Sequence, residues 1–231
     1  MEIALRRREQ VAEGTFAFHF DKPAGFIHQA GQNATFSLIA PKETDAAGTT
    51  RTFTIASAPH ERELMIATRM RDSAFKRALG AMPIGAKLQM EGPAGVMVLH
   101  EDESRPAVFL AGGIGITPFL SIARDAAARL LRHQIWLFYS NRRPKDAAFL
   151  AELKHLQNRN FHLVATMTEA PEWTGEKRFI SRELLAEHLP DLRAPVYYFA
   201  GPPAMTMAMQ GMLTDLDVSE DDMRSEEFYG Y

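Results

Sequence analysis

The sequence predicts two domains, an N-terminal antiparallel β-barrel and a C-terminal α/β domain built on a parallel sheet. In residues 1–100, short runs of strand-forming residues are separated by turns that contain Gly, Pro and Asp, a pattern typical of a small antiparallel barrel. From residue 101 onward, strand-like runs alternate with helical stretches, which indicates βαβ units and a parallel sheet. We therefore expect the barrel to span residues 1–101 and the α/β domain residues 102–231, with a polar link over residues 101–105.

The composition excludes several classes of protein. The 231 residues are 46% hydrophobic and 24% charged with a formal net charge of −3, which is typical of a globular protein and unlike a general nucleic-acid binder. There is no cysteine, so disulfides, thiolate chemistry and a Cys-ligated iron–sulfur cluster are excluded. The eight histidines show no metal-binding spacing, so no metal site is expected. Because we find neither a signal-peptide pattern nor an apolar run that could span a bilayer, we expect a soluble cytoplasmic protein.

Three segments of the first half have the pattern of β-strands. They are residues 16–20, 34–40 and 63–69. The polar stretch at 41–50 is expected to be a loop. The basic run at residues 6–8 is expected to form the solvated edge of a strand, where charge discourages aggregation.

The second half contains four strand candidates and four helix candidates in alternation. The strands are expected at residues 107–111, 134–140, 161–167 and 195–200. The helices are expected at residues 118–132, 146–158, 181–189 and 204–213. Asp146 is expected to be the N-cap of the second helix, because an aspartate side chain can accept a hydrogen bond from the first free N–H groups. Ligands of such sheets bind at the carboxyl ends of the strands, so those ends form the candidate site.

A glycine turn is the most informative stretch of the second half. A short apolar run breaks into Gly112, Gly113 and Gly115, and Thr117 and Pro118 then favour a helix start as N-cap and first helical residue. Main-chain N–H groups at such a start attract a pyrophosphate, and glycines let it approach closely. An ordinary tight turn between strand and helix is the alternative, because short motifs also match by chance.

The most informative stretch of the first half begins at Arg51. Thr52, Phe53 and Thr54 follow it in a β-prone run, so one strand could offer a guanidinium to a phosphate, an aromatic face and two hydroxyl groups. Further along, Ser73 can cap a short helix whose N–H groups face a phosphate. An ordinary half-buried strand is the alternative for the run itself.

Together these segments resemble the ferredoxin–NADP⁺ reductase family. Residues 51–57 resemble its flavin motif Arg-x-Tyr-Ser/Thr-x-x-Ser, with Phe53 where tyrosine is more usual. Gly31 and Gln32 resemble the Gly-Gln that precedes the family's next barrel strand, and residues 92–95 resemble its Gly-Pro-x-Gly turn. Residues 200–205 resemble its Cys-Gly-Pro-Pro-x-Met segment, with alanine in place of the cysteine. The resemblance covers nearly the whole chain and implies a flavin barrel followed by a pyridine-nucleotide domain.

The resemblance implies a role for three sets of residues. Binding of FAD is implied for Arg51, Thr52, Phe53, Thr54, Ala67, Thr68, Arg69, Arg71, Ser73, Ala74, Phe75 and Phe228. Binding of NADPH or NADH is implied for Gly112, Gly113, Gly115, Thr117, Pro118, Arg142, Gly201, Pro202 and Met205. Catalytic positions near the reacting atoms are implied for Thr54, Thr117 and Glu226.

Within the flavin set, the resemblance implies that Arg51 and Ser73 hold the pyrophosphate and that Thr54 hydrogen-bonds near flavin N5. Two phosphate sites suit FAD better than FMN. Glu226 and Phe228 fit the Glu-x-aromatic ending of the family, which would place Phe228 on the flavin ring or the adenine. A loose, solvated tail is an equal alternative.

The choice of coenzyme rests on the segment after the second strand of the α/β domain. Arg142 stands where an NAD-selective fold would carry an acidic residue, and Arg143 and Lys145 add positive charge, which favours NADPH. An arginine at this place also occurs in relatives that use NADH, and a solvated basic loop is an equal alternative.

The resemblance implies an oxidoreductase that passes electrons from NAD(P)H through FAD to a separate one-electron carrier such as ferredoxin or flavodoxin. Arg69, Arg71, Lys76 and Arg77 are expected to dock an acidic carrier or, equally, only to neutralise the FAD phosphates. One alternative is reduction of a small acceptor, such as free flavin or quinone, or of an oxygenase component. The other is a non-catalytic nucleotide-binding regulatory module.

Overall fold

The computed structural model describes residues 1–228, which form two β-sheets and five α-helices. The first sheet contains β1 (Glu2–Ala12), β2 (Thr15–Asp21), β3 (Asn33–Leu38), β4 (Thr50–Thr54), β5 (Glu63–Arg69) and β6 (Lys87–Ala94). The second contains β7 (Ala107–Gly112), β8 (Ile135–Asn141), β9 (Phe161–Met167), β10 (Val196–Gly201) and β11 (Met223–Glu227). The helices are α1 (Ala74–Ala81), α2 (Thr117–Arg129), α3 (Leu150–Leu156), α4 (Arg182–Ala186) and α5 (Pro203–Asp215). Within this part of the chain, no helix has the length and hydropathy that crossing a membrane requires.

The first sheet is antiparallel and barrel-like, as predicted, with strand order β4-β3-β6-β1-β2-β5. Phe18 and Phe36 are fully buried on its inner side, and Phe75 from α1 completes that core. Beyond β4, the main-chain N–H of Ala56 donates to the carbonyl of Met65 on β5 at 2.7 Å. The two outer strands therefore approach each other, and the sheet curls around its own core.

The second sheet is parallel, with order β11-β10-β7-β8-β9, and carries helices on both faces as predicted. Phe109 on β7 packs on Phe119 of α2, with ring centroids 4.8 Å apart. The next residue, Leu110, lies in the opposite core with Leu184 of α4 and Leu213 of α5. Because β7 is covered on both faces, all of its residues are buried, which explains its continuous apolar run.

Two helix starts differ from the prediction. The helix expected from Asp146 begins at Leu150, and Asp146 is not its N-cap, because its carboxylate instead accepts hydrogen bonds from the Arg143 guanidinium at 2.9 and 3.0 Å. Thr117 is the first residue of α2 and not its N-cap, because a 3₁₀ turn over Gly113–Ile116 precedes the helix.

Two segments that were expected at the margins of the fold lie within sheets. The basic run at residues 6–8 is exposed, but β1 lies between β6 and β2, so it is not an edge strand. The C-terminal segment, for which a loose tail was one expectation, forms β11 and pairs in parallel with β10, where Ala200 faces Glu226.

Helix α2 holds the two sheets together. The Ser121 hydroxyl donates to the carbonyl of Ser57 at 2.8 Å. The Arg124 guanidinium lies 3.3 Å from the Glu61 carboxylate in the first sheet's connecting loop and 2.6 Å from that of Glu152 on α3. Side chains from β5 and α2 also share one hydrophobic cluster. This packing brings β5 beside the carboxyl ends of the parallel strands.

Candidate active site

A crevice of about 720 Å³ lies between the two sheets. On the side of the first sheet it is lined by Glu13, Thr15, Arg69 and Arg71. On the other side it is lined by the strand ends and turns of the second sheet, including Gly112, Gly113, Asn141, Arg142, Glu169, Pro202 and Met205. The crevice thus lies at the carboxyl ends of the parallel strands, where α/β sheets bind their ligands.

Close packing against β10 shapes the glycine turn after β7. A Cβ atom on Gly115 would lie 2.2 Å from the carbonyl oxygen of Ala200, and one on Gly112 would lie 2.3 Å from the sulfur of Met205. Gly113 has a φ of +53° with open space around it. Gly112 and Gly115 are therefore needed for packing, whereas Gly113 presents its main chain to the crevice.

Thr117 and Pro118 lie behind this turn. Both are buried and neither lines the crevice. The Thr117 hydroxyl donates to the carbonyl of Ile114 at 3.1 Å. It therefore stabilises the turn and the start of α2 from within.

The ends of β8 and β9 bring charges of both signs to the crevice. Arg142 lies 3.6 Å from the Glu169 carboxylate, and both side chains are more than half exposed. Asp146 also lines the crevice, and its bonds to Arg143 hold its pKa below the usual range. The carboxylates of Glu169 and Asp146 therefore offset the positive charges of Arg142 and Arg143.

The C-terminal strand ends beside the turn that follows β10. The main-chain N–H of Phe228 donates to the carbonyl of Gly201 at 3.0 Å, and the ring packs against the hydrophobic cluster between the sheets. Pro202 and Met205 line the crevice next to this bond. The structure therefore brings together four of the predicted binding residues, three at the end of β10 or just after it and one, Phe228, near the end of the chain.

A buried polar group joins β3, β4 and β11. Thr54 faces Asn33 in the β3–β4 ladder, and the Asn33 amide donates from Nδ2 to Oε1 of Glu226 at 3.0 Å. Thr54 Oγ1 and Glu226 Oε2 are buried, and within residues 1–228 neither has a hydrogen-bond partner. Burial raises the pKa of the Glu226 carboxyl, and the bond from Asn33 offsets this in part.

The N-terminus of α1 is occupied by a carboxylate. Ser73 is the N-cap of this helix, as predicted. The main-chain N–H of Ala74 donates to the Asp45 carboxylate at 2.8 Å, and the same carboxylate lies 3.4 Å from the Arg51 guanidinium. Arg51 also donates to the carbonyl of Ala47 at 2.7 Å. Asp45 therefore engages two of the donors that the sequence assigned to a phosphate.

Lys76 adds a second cation beside this helix end. Its ammonium group donates to the carbonyl of Arg69 at 2.8 Å. Burial, and then the charges of Arg71 and Arg51, lower its pKa to about 8. An anion bound here would favour the charged ammonium form of Lys76, because a nearby negative charge raises the pKa of a lysine.

The other residues predicted to bind flavin flank these groups. Phe53 packs against Phe36 and Phe75, with ring centroids 5.9 and 5.8 Å away. Thr52, the residue before Phe53, is exposed on the opposite face of β4. Residues 67–69 lie on β5, the last strand in the order of the first sheet, and of these three Arg69 lines the crevice.

The sequence analysis missed Asn33, Asp45 and Glu169. Asn33 directly follows Gly31 and Gln32, so that motif could have been extended by one residue. No local pattern marks Asp45 or Glu169, because their partners are distant in sequence. Asp45 is 29 positions from Ala74, and Glu169 is 27 positions from Arg142.

The sequence is similar to those of several known proteins. Residues 109–211 match the family model of the oxidoreductase NAD-binding domain. The glycine betaine monooxygenase reductase subunit of Chromohalobacter salexigens is 25% identical over 223 residues, which are 93% of this chain and 60% of that protein. NADH-cytochrome b5 reductase 1 of Neosartorya fischeri is 27% identical over 225 residues, covering 90% of this chain and 72% of that protein. The chain thus spans about 60% of the length of the first of these relatives.

Solved structures show the same fold. A ferredoxin NADP⁺ reductase from Neisseria gonorrhoeae with bound FAD and NADP has a TM-score of 0.83 at 20% identity, covering 98% of both chains. Phthalate dioxygenase reductase has a TM-score of 0.76 at 22% identity, covering 98% of this chain and 67% of that chain. These matches confirm the predicted two-domain fold and the resemblance to the ferredoxin–NADP⁺ reductase family.

Proposed function

We propose that this chain, which has the fold of the ferredoxin–NADP⁺ reductases, is an NAD(P)H-dependent flavin oxidoreductase. In this proposal residues 1–101 hold FAD and residues 102–231 hold the pyridine nucleotide, although residues 229–231 lie outside the described part of the chain. The crevice shared by Arg69 and Arg71 with Gly113 and Met205 is the observation that carries the proposal. A hydride donor and a hydride acceptor bound to its two sides would meet within this one crevice.

The residues of the first domain fit FAD in two respects. Arg51, Lys76 and the Ala74 N–H concentrate positive potential at one helix N-terminus, which suits a diphosphate. The buried Thr54 Oγ1 and Glu226 Oε2 need polar partners, which the heteroatoms of an isoalloxazine ring could provide. In this proposal Ser73 and Phe75 complete the phosphate site, and Phe53, Ala67, Thr68 and Phe228 pack around the ring.

The residues of the second domain fit a pyridine nucleotide. Gly113 offers an uncovered main chain before α2, where a pyrophosphate would bind. Pro202 and Met205 would flank the nicotinamide, supported by the bond from Phe228 to Gly201.

Bound FAD supplies the chemistry, because it can accept a hydride and release electrons singly. The chain's own residues position the two cofactors and limit the access of water. Thr54 and Glu226 place polar atoms at the buried edge of the flavin site. Thr117 acts through the turn that it stabilises.

NADH is the better fit to the coenzyme site. The sequence favoured NADPH because of Arg142, but the structure places the Glu169 carboxylate 3.6 Å from that guanidinium. A carboxylate at this place can accept a ribose hydroxyl and would repel a 2′-phosphate. The names of two relatives, an NADH-cytochrome b5 reductase and an NADH-quinone reductase subunit, support the same choice.

The acceptor is proposed to be a separate one-electron carrier, either an acidic ferredoxin or flavodoxin or an oxygenase component. Relatives named as monooxygenase or dioxygenase reductases support the last of these. Arg69 and Arg71 are the basic residues best placed to dock it, because Arg77 is paired with Glu43 and Asp72. Steady-state rates with purified carriers should fall as salt rises, whereas salt-independent rates would refute the docking role.

The visible spectrum of the purified protein tests the central proposal. After reconstitution with FAD, the protein should be yellow and should be bleached by NADH under anaerobic conditions, more readily than by NADPH. A protein that takes up no flavin would refute the proposal and favour a regulatory nucleotide-binding module. Bleaching that is reversed by free flavin or quinone but by no protein carrier would favour the small-acceptor alternative.

A further inference from the structure

Asn33 and Glu226 are 193 positions apart in sequence and meet between the two sheets. Asn33 begins β3 in the first sheet, and Glu226 lies on β11 in the second. The Asn33 amide donates from Nδ2 to Oε1 of Glu226 at 3.0 Å. One side-chain hydrogen bond therefore spans the boundary between the proposed flavin and nucleotide domains.

The glycine turn after β6 leaves room for the Asn33 amide. Gly95 has a φ of +93°, and a Cβ atom at this position would lie 2.7 Å from Nδ2 of Asn33 and 3.3 Å from its Cγ. Any side chain at Gly95 would therefore displace the amide. This gives a packing reason for glycine at the end of residues 92–95, which resemble the Gly-Pro-x-Gly turn of the ferredoxin–NADP⁺ reductase family.

The surroundings of Glu226 are apolar or neutral. Ala200 is its neighbour on β10, and Asn33 on β3, which faces Thr54 on β4, donates a hydrogen bond to it. Two charged residues on its own strand bond to other groups: Arg224 donates to the carbonyl of Val98 and the Tyr198 hydroxyl, and Glu227 accepts a bond from Thr206. Burial and the bond from Asn33 are therefore the influences on its pKa, and burial raises it.

We propose that Asn33 is a positioning residue that fixes the orientation of the buried Glu226 carboxyl, with Oε1 as the acceptor and, in the neutral form, the proton on Oε2. An amide N–H donates to the carbonyl-type oxygen of a neutral carboxyl, which leaves the other oxygen to carry the O–H. Oε2 is buried and has no partner within the described residues, so its O–H is available to a ring bound against Thr54. The inference rests on the proposed function, because it concerns the flavin side of the same site.

The neutral state matters because hydride transfer brings negative charge to the flavin site. A neutral donor favours that charge, whereas an ionised Glu226 opposes it. The rate of flavin reduction should therefore fall as pH rises through the pKa of Glu226. Removing the Asn33 donor should raise that pKa further, because the bond favours the ionised form.

Four variants test this assignment. Asn33→Leu removes the donor, and Asn33→Asp keeps the size but replaces N–H with an acceptor, in case the leucine variant does not fold. Glu226→Gln is a neutral isostere that still accepts at Oε1. Ser121→Ala is the matched control, because it removes another hydrogen bond between the two parts, from Ser121 Oγ to the carbonyl of Ser57.

Two measurements are made on each variant. The first is the titration of the Glu226 carboxyl carbon by NMR in protein without flavin, assigned by its loss in Glu226→Gln. The second is the anaerobic rate of bleaching by NADH at saturating FAD, as a function of pH.

We expect both Asn33 variants to move the Glu226 titration and the pH inflection of the rate upward together. We also expect them to slow bleaching at pH 7 by about tenfold or more, as for a misplaced acid–base group. Glu226→Gln should remove the inflection, and Ser121→Ala should leave it in place. Asn33 variants that lower the melting temperature but keep the wild-type titration and inflection would overturn the assignment. If no flavin is bound or bleached, the proposed function fails, whereas the NMR titration still decides the Asn33 contact.

Discussion

The Asp45 carboxylate accepts a hydrogen bond from the main-chain N–H of Ala74 at 2.8 Å, at the N-terminus of α1. It also lies 3.4 Å from the Arg51 guanidinium, and these contacts hold its pKa below the usual range. A diphosphate bound at this helix end would need the same donors. Asp45 should therefore compete with the flavin phosphates for the Ala74 N–H and the Arg51 guanidinium.

Replacing Asp45 with asparagine should tighten FAD binding by about fivefold, because the negative charge that competes for these donors is removed. Titration of FAD fluorescence against the flavin-free protein measures this change. Glu2→Gln is the control, since it removes an exposed carboxylate paired with Lys87 at 2.9 Å and should leave the dissociation constant unchanged. Equal or weaker binding by the Asp45 variant would show that the flavin does not need these donors.

FAD binding should weaken above pH 8 because of Lys76. Its pKa is about 8, and a bound diphosphate would raise it, so binding above that pH must take up a proton. The dissociation constant for FAD should then rise by at most about tenfold per pH unit. This rise should begin near the pKa of Lys76 in the free protein and end at the higher pKa of Lys76 in the FAD complex. The Lys76→Met variant should bind more weakly at pH 7 and lose this pH dependence, whereas Lys87→Met should behave as wild type. A flat profile in the wild type would separate Lys76 from the phosphate site.

Replacing Glu169 with glutamine should shift the coenzyme preference toward NADPH. The Arg142 guanidinium, now without its carboxylate partner at 3.6 Å, would be free to bind a 2′-phosphate. We expect kcat/KM for NADPH to rise about fivefold, roughly 1 kcal/mol, with a smaller change for NADH. Single-turnover bleaching with each coenzyme gives the ratio, and Arg142→Ala in the same background should reverse the gain. An unchanged ratio would indicate that the adenosine ribose binds elsewhere.

A methyl group on Gly115 should destabilise the second domain. Its Cβ would lie 2.2 Å from the carbonyl oxygen of Ala200, and this is a main-chain contact that a side-chain rotation cannot relieve. We expect Gly115→Ala to lower the free energy of unfolding by about 2–3 kcal/mol in urea titration and to weaken binding of NADH. Gly211→Ala is the control, because nothing lies within 4 Å of that position on α5 and alanine favours a helix by up to about 1 kcal/mol. Similar stabilities for the two variants would contradict the close packing of β7 on β10.

Periodicity and turn residues were sufficient to predict most elements of the fold. Residues 63–69 and 161–167 were predicted with the bounds that β5 and β9 have in the structure. The alternation of helices and strands correctly predicted a parallel sheet covered on both faces. These properties follow from residues that are close in sequence, which is why a sequence pattern can report them.

The errors arose where distant contacts outweighed local preference. Asp146 has the side chain of an N-cap, but its bonds to Arg143 delay the helix to Leu150. Residues 223–227 have little strand character, yet pairing with β10 makes them a strand.

By itself, the sequence determined the two-domain architecture and the glycine turn after β7, and it singled out the segments that we propose to hold the dinucleotides. Only the tertiary structure decided which side chains share a site. The pairings of Asn33 with Glu226, Asp45 with Ala74 and Glu169 with Arg142 depend on strand order and on the packing of α2 between the sheets. The physical reason is that a hydrogen bond or ion pair requires two groups within a few ångströms, and for residues far apart in sequence that distance is set by the whole fold.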